Sequence, residues 1–394
     1  MKLTVLCIYP IFPPNSGYKN RCYFLYKELA KYMDVELISL TGPNQPTLKK
    51  EIAPNLFEIR IPKTATQAEK ETQIAKKLNV SKEVIYDITQ MILFNETPDF
   101  VQAFLDSAQN ADYVVLTQPY FYPMFEKYSD KKFIYDSHNV EYILKQQLLE
   151  NNNDAEFYLD MVFKNEEKTC ENAQFVTVCT ANRDDAAGFE QLFNIPDSKI
   201  YNIPIGADLE NINFVDQKER KSNKEKENIT QKLALFIGSA HLPNIEACKH
   251  IIDIALKSPE VLFYFVGTCC NAFQQYDLPE NIVLKGSVTN EEKSKILSIA
   301  DVALNPIMKG SGVNVKVLDY MAAGIPVITT PIGTRGLALN DEMVDIAEIE
   351  DFEEKIKTVN FDKIYRAKEH IEKVFDWKII ADKYKNLLVE KNTL

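Results

Sequence analysis

The run 309–319, Lys-Gly-Ser-Gly-Val-Asn-Val-Lys-Val-Leu-Asp, gathers residue types that suit an anion. Its Gly310-Ser311-Gly312 turn has a backbone that a ligand can approach closely. The apolar spacing predicts a helix over 313–323, whose first turn has free N–H groups and the positive end of the helix dipole. Lys316 then lies one turn in, with Asp319 three residues on along roughly the same face. Backbone donors and a cation serve a diphosphate, and a carboxylate beyond them serves ribose hydroxyls. Ser311, Gly312, Val313, Lys316 and Asp319 are therefore one candidate set. The same residues also compose an ordinary loop and helix, stopped by Gly324 with Pro326 behind it. Spacing alone leaves both readings open.

Other candidates stand where short apolar runs end. A proline-rich loop, 9–17, closes on Gly17, and Lys19 and Arg21 follow at a helix start. His138 comes two residues after the run 133–136. Gly238 ends another run, with Pro243-Asn244 opening a helix, and Gly267 ends a third. In parallel α/β sheets ligands bind beyond such strand ends. Each has a plain alternative: a solvated first turn, a structural histidine, a βα turn.

These residues need elements to hold them. Runs at 3–8, 35–40, 113–117, 133–136 and 175–179 are rich in Val, Ile, Leu, Phe and Tyr, as strands covered on both faces are. Helical stretches at 19–32 and 155–172 alternate with them. The plan restarts with strands at 233–238, 261–267, 282–286, 301–306 and 327–330, and helices at 244–257, 290–299 and 313–323. Alternation of this kind predicts two α/β halves with parallel sheets. The segment 63–104 reads as helices packed on the first sheet. Segment 216–232 has almost no apolar residue and reads as an exposed loop beyond a hinge at 203–208. Its lysines also suggest contact with a membrane face, although Glu219, Glu225 and Glu227 dilute them. The stretch 376–388 predicts a helix with Trp377, Ile380, Tyr384, Leu387 and Leu388 on one face.

The 394 residues carry a net charge of −12, which argues against nucleic acid as a partner. Seven cysteines without metal-ligand spacing read as free thiols of a reducing cytosol. No run of 18 apolar residues appears, so the expectation is a cytoplasmic protein, free or peripheral at the inner face of the membrane.

Segment 318–327, LDYMAAGIPV, resembles the donor-binding stretch of retaining GT-B glycosyltransferases, family 4 (group 1). That family often has two glutamates seven residues apart, the second followed by Ala-Met-Ala-x-Gly-x-Pro-Val. Asp319 stands at the second glutamate and Ser311 at the first, as in a branch where a Gly-Ser-Gly turn and a downstream lysine replace that acid. The 9–17 loop resembles the family's proline-rich loop, with Tyr18 in place of its usual second glycine. The family also has an Asp-x-His segment where Asp136-Ser137-His138 stands. The Arg-Lys pair common beyond Gly238 is missing, which leaves more of the phosphate charge to Lys316.

The resemblance implies two Rossmann-like, doubly wound domains facing across a cleft. Residues 1–207 would bind the acceptor, 208–375 the nucleotide sugar, and 376–394 would form a helix packing back on the first domain. It implies sugar transfer with retention from a UDP- or GDP-linked donor to a glycan, lipid-linked or protein acceptor. Neither metal nor further cofactor is implied. His138 and Lys316 are the catalytic candidates. Gly17, Gly238, Asn244, Gly267, Ser311, Gly312, Val313, Lys316 and Asp319 are the donor contacts, and Lys19 and Arg21 the candidate acceptor or phosphate contacts. The rival readings are a catalytically silent nucleotide-sugar binder and an epimerase of the same fold, the latter needing paired carboxylates.

Overall fold

The computed structural model describes residues 1–310 and 312–392. The chain groups into two units, the first comprising Met1–Pro204 and the segment from Ile380 onward, the second Ile205–Ile379.

Among the described residues, the first unit builds an eight-stranded sheet. Its strands are β1 (Lys2–Cys7), β2 (Asp34–Thr41), β3 (Leu48–Ala53), β4 (Leu56–Pro62), β5 (Tyr113–Leu116), β6 (Phe133–Ser137), β7 (Val176–Val178) and β8 (Ile200–Asn202). They lie in the order β3-β4-β2-β1-β5-β6-β7-β8. Parallel register runs from Lys2↔Asp34 to Cys7↔Ser39 on one side of β1 and from Leu3↔Tyr113 on the other. Strands β1, β5 and β6 are buried almost throughout, because helices cover both faces. The strand order turns around at β1/β5, the place where such sheets leave a crevice.

Two strands depart from the sequence reading. β3 and β4 pair antiparallel at the sheet edge through a turn at Asn55, whose φ is 60°. Lys49, Lys50 and Glu51 leave β3 no apolar alternation, and charged, exposed residues are what an edge strand carries. The 63–104 segment folds as the helices Ala65–Lys77, Lys82–Leu93 and Pro98–Ala108.

The second unit, among the described residues, holds a six-stranded sheet: β9 (Lys232–Ile237), β10 (Val261–Val266), β11 (Ile282–Gly286), β12 (Val302–Asn305), β13 (Val327–Thr329) and β14 (Asp345–Ile346). The order is β11-β10-β9-β12-β13-β14, with parallel pairing throughout. Here the order turns around at β9/β12. Phe236, Phe263, Phe265, Leu304 and Ile328 centre its core.

The charged segment 216–232 corrects an expectation. It is no exposed loop: Asp216 caps a helix, Gln217–Lys226, by accepting from the Glu219 N–H at 2.8 Å. Arg220 on that helix is 1% exposed. Its guanidinium donates to the carbonyls of Leu297, Ala300, Val215, Ala323 and Gly324 at 2.7–3.1 Å. Lys224 donates to the Gln231 carbonyl and pairs with Asp301. An apolar count misses this helix because its inward face is built from long cationic side chains.

Gly324, at φ 69°, ends the helix Val315–Ala322. A Cβ there would sit 2.7 Å from the Val215 carbonyl, so the residue must stay glycine. The last helix, Trp377–Asn392, buries all five residues expected on its apolar face. No helix among the described residues is long and apolar enough to cross a membrane.

Candidate active site

In the second unit the strand ends converge around β9/β12. The Gly238 N–H donates to the Val266 carbonyl at 2.9 Å, and the Gly238 carbonyl accepts from Cys269 at 3.1 Å. Gly267 takes φ 100°, and a Cβ on it would lie 2.3 Å from the Gly238 oxygen. Only glycine lets the two strand ends lie this close. The Gly267 N–H in turn donates to Gly286 at 2.7 Å, carrying the ledge across to β11.

Two helix starts border this ledge. The helix Leu242–Lys257 begins with Pro243 in its first turn, followed by Asn244. The helix Val315–Ala322 brings Lys316. Lys316 Nζ donates to Asn244 Oδ1 at 2.5 Å, and Asn244 Nδ2 donates to the Ser239 carbonyl and hydroxyl at 3.2 Å. The same ammonium lies 4.3 Å from the Phe236 ring centroid. Burial lowers Lys316 to about 8, despite the Cys248 and Cys269 thiols, whose charged forms would raise it. Gly238, Asn244, Gly267 and Lys316 are thus brought together.

The remaining second-unit candidates divide. Gly312 is exposed and Val313 partly so, both just ahead of the helix, which begins two residues later than its apolar spacing suggests. Ser311 lies outside the described residues. Asp319 Oδ2 accepts from Lys293 Nζ at 2.7 Å. Nothing in the spacing of the sequence singles out Lys293, since it comes from the neighbouring helix Asn290–Ile299.

In the first unit, the loop after β1 is held by the buried Glu58, whose carboxylate accepts from the N–H groups of Ile11 and Phe12. Gly17 starts the helix Gly17–Leu29 beneath a Ser16 cap and faces open space. Tyr18 reaches across the β1/β5 turnaround: its hydroxyl accepts from the Ile8 N–H at 3.0 Å and lies 2.8 Å from Thr117 Oγ1. Thr117 donates to Leu6, so Tyr18 donates to Thr117. The Tyr18 ring packs 4.6 Å from His138, which is 9% exposed at the end of β6. Cys22 Sγ lies 3.8 Å from His138 Nε2. Burial pushes the Cys22 thiol up, but hydrogen bonding with Cys7 and the His138 ring outweigh it and bring it to about 6.

Residues 231–360 match the family model of glycosyl transferases group 1. Among solved structures, sucrose-phosphate synthase from Thermosynechococcus elongatus is 16% identical, with a TM-score of 0.74 over 99% of this chain and 98% of that one. Anabaena HepE in complex with UDP is 11% identical, with a TM-score of 0.69 over 99% and 100% of the two chains. The E. coli trehalose-6-phosphate structure bound with UDP-2-fluoro glucose is 11% identical, with a TM-score of 0.66 over 98% and 99%. The fold is GT-B. No curated protein sequence matches the chain.

Within this GT-B chain two first-unit candidates differ in kind. Lys19 is partly exposed in the first helical turn. Arg21 is not available to a ligand in this structure: it is 1% exposed and ion-paired with Asp136 in the interior. Burial alone would raise the Asp136 carboxyl, but Arg21, with His138 nearby, holds it below its ordinary value. Tyr26 and Thr177 donate to the same carboxylate at 2.8 and 2.7 Å. Helical periodicity explains the misreading, since Arg21, Leu25 and Leu29 share the buried face of their helix.

Proposed function

We propose that the protein transfers a sugar from a nucleoside-diphosphate donor to a hydroxyl-bearing acceptor, with retention of anomeric configuration. The observation that carries this reading is Lys316, a half-buried ammonium held by Asn244 above the Gly238/Gly267 ledge at the β9/β12 turnaround. In transfer, charge develops on the departing diphosphate. A preorganised cation and backbone donors at helix starts stabilise it where it appears. Asp319 is placed one helical turn on, where a ribose would follow the phosphates. UDP in Anabaena HepE and UDP-2-fluoro glucose in the E. coli structure favour a uridine donor, with GDP sugars the alternative.

In this reading Lys316 acts on the leaving group and His138 on the transferred sugar or the acceptor. Gly17 and Lys19 border the acceptor side, and the donor itself is the small molecule required, with no metal and no further cofactor. The acceptor is a glycan, a lipid-linked sugar or a protein, met in the cytoplasm or at the inner membrane face.

The test is incubation with UDP-, GDP-, ADP- and dTDP-sugars, following melting temperature and nucleoside diphosphate release. Stabilisation by one nucleotide class, lost in Lys316→Ala and Asp319→Ala, with slow diphosphate release, supports transfer. Stabilisation without any release in the presence of acceptors points to the silent-binder reading. No stabilisation by any of them overturns the donor site.

A further inference from the structure

We infer that Lys293 is a positioning residue for the donor ribose, setting a preference for ribo- over 2′-deoxyribonucleotides through Asp319. The inference rests on the proposed donor reading and extends it to a residue on a different element.

Asp319 has a short side chain on a helix face, 17% exposed, and its Oδ2 is engaged by Lys293 Nζ at 2.7 Å. Oδ1 takes no hydrogen bond among the described residues. A charge-assisted bond of this length favours one rotamer of the carboxylate and leaves its second oxygen free to accept another bond. Lys293 is itself delivered by a fixed element. The Asn290–Ile299 helix starts with a full capping box: Thr289 accepts from the Glu292 N–H at 3.2 Å, and Glu292 accepts from the Thr289 N–H at 2.8 Å. That helix follows β11, whose Gly286 carbonyl accepts from Gly267, so Lys293 is anchored to the same ledge as the phosphate candidates.

The pairing has two consequences for a nucleotide. A carboxylate with one oxygen held and the other open can accept from the ribose hydroxyls, and loses that bond when the 2′-hydroxyl is absent. Lys293 also neutralises Asp319, which without it would repel the diphosphate bound near Lys316. Removing the lysine therefore weakens binding of the ribonucleotide most, because the carboxylate loses its orientation and keeps its charge.

Calorimetric titration of UDP and 2′-deoxy-UDP into the whole protein tests this. The native protein is expected to bind UDP about tenfold or more tightly than 2′-deoxy-UDP, the usual worth of a hydrogen bond to a charged group. Lys293→Met is expected to reduce that preference to about twofold while UDP affinity falls roughly tenfold. Lys293→Arg, which keeps a donor within reach, should recover most of the preference. Native preference retained in Lys293→Met overturns the positioning role while leaving the donor site intact. Native protein that binds neither uridine nucleotide, nor GDP and 2′-deoxy-GDP titrated in their place, removes the donor reading and this inference with it. Preference unchanged in Asp319→Asn shows that the ribose lies elsewhere and also overturns it.

Discussion

Lys316 is an ammonium in a place that disfavours its charge. Burial brings it to about 8, and a bound diphosphate would restore the cation. The sign follows from that: below about pH 8 the free protein already carries the ammonium, and above it binding must take up a proton. Nucleoside diphosphate affinity is therefore expected to be flat up to about pH 7 and to fall roughly tenfold between pH 7 and 9. Calorimetry at several pH values checks this, and Lys316→Met should bind more weakly with the slope removed. If Lys316 stabilises the leaving group as proposed, the same variant should lose roughly 10²–10³ in transfer rate. At this scale the sequence displays identity but not surroundings. Lys316 and Asn244 were both visible as candidates, yet nothing in the sequence shows that these residues, 72 positions apart, bond one another. Arg21 shows the opposite error, a cation at a helix start whose partner, Asp136, is 115 residues away.

At the scale of elements, the parallel strands were legible because burial on both faces leaves continuous apolar runs. β11 and the helix Asn290–Ile299 lie where that reading places them. The edge hairpin and the helix Gln217–Lys226 were hidden, since their residues are chosen for charge: the one to face solvent, the other to reach carbonyls. The Arg220 guanidinium serves five of these at once. Arg220→Met keeps the side-chain volume but strands those acceptors, and is expected to cost about 3–5 kcal/mol in urea unfolding of the second unit. Lys221→Met, on an exposed position of the same helix, should change stability by less than about 0.5 kcal/mol. Gly267→Ala tests the ledge. With φ 100° and the Gly238 oxygen 2.3 Å from the new methyl, it should lower the melting temperature and abolish nucleotide-induced stabilisation.

Across the whole molecule, the chain passes from the first unit to the second at Pro204/Ile205 and returns at Ile379/Ile380. The returning helix places Tyr384 with no exposed surface in the first unit. Its ring removal in Tyr384→Ala is expected to cost about 3–5 kcal/mol in unfolding of that unit, read by urea titration, and to leave the nucleotide binding proposed for the second unit unchanged. The periodicity of that helix was plain in the sequence, because Trp377, Ile380, Tyr384, Leu387 and Leu388 recur at helical spacing.

Where the second unit begins and ends, its chain lies side by side. The Ala207 N–H donates to the Phe375 carbonyl at 2.8 Å, Ala207 bridges Asp376, and Gly206 packs without a side chain against the Trp377 ring. In genetic terms residues 205–379 have the layout of a cassette, with both ends at one doorway. Such a layout predicts that the segment, expressed as its own gene, folds without stretching either end, which circular dichroism and urea unfolding of residues 205–379 would check. The ledge, Asn244, Lys316, Asp319 and Lys293 would all travel with it.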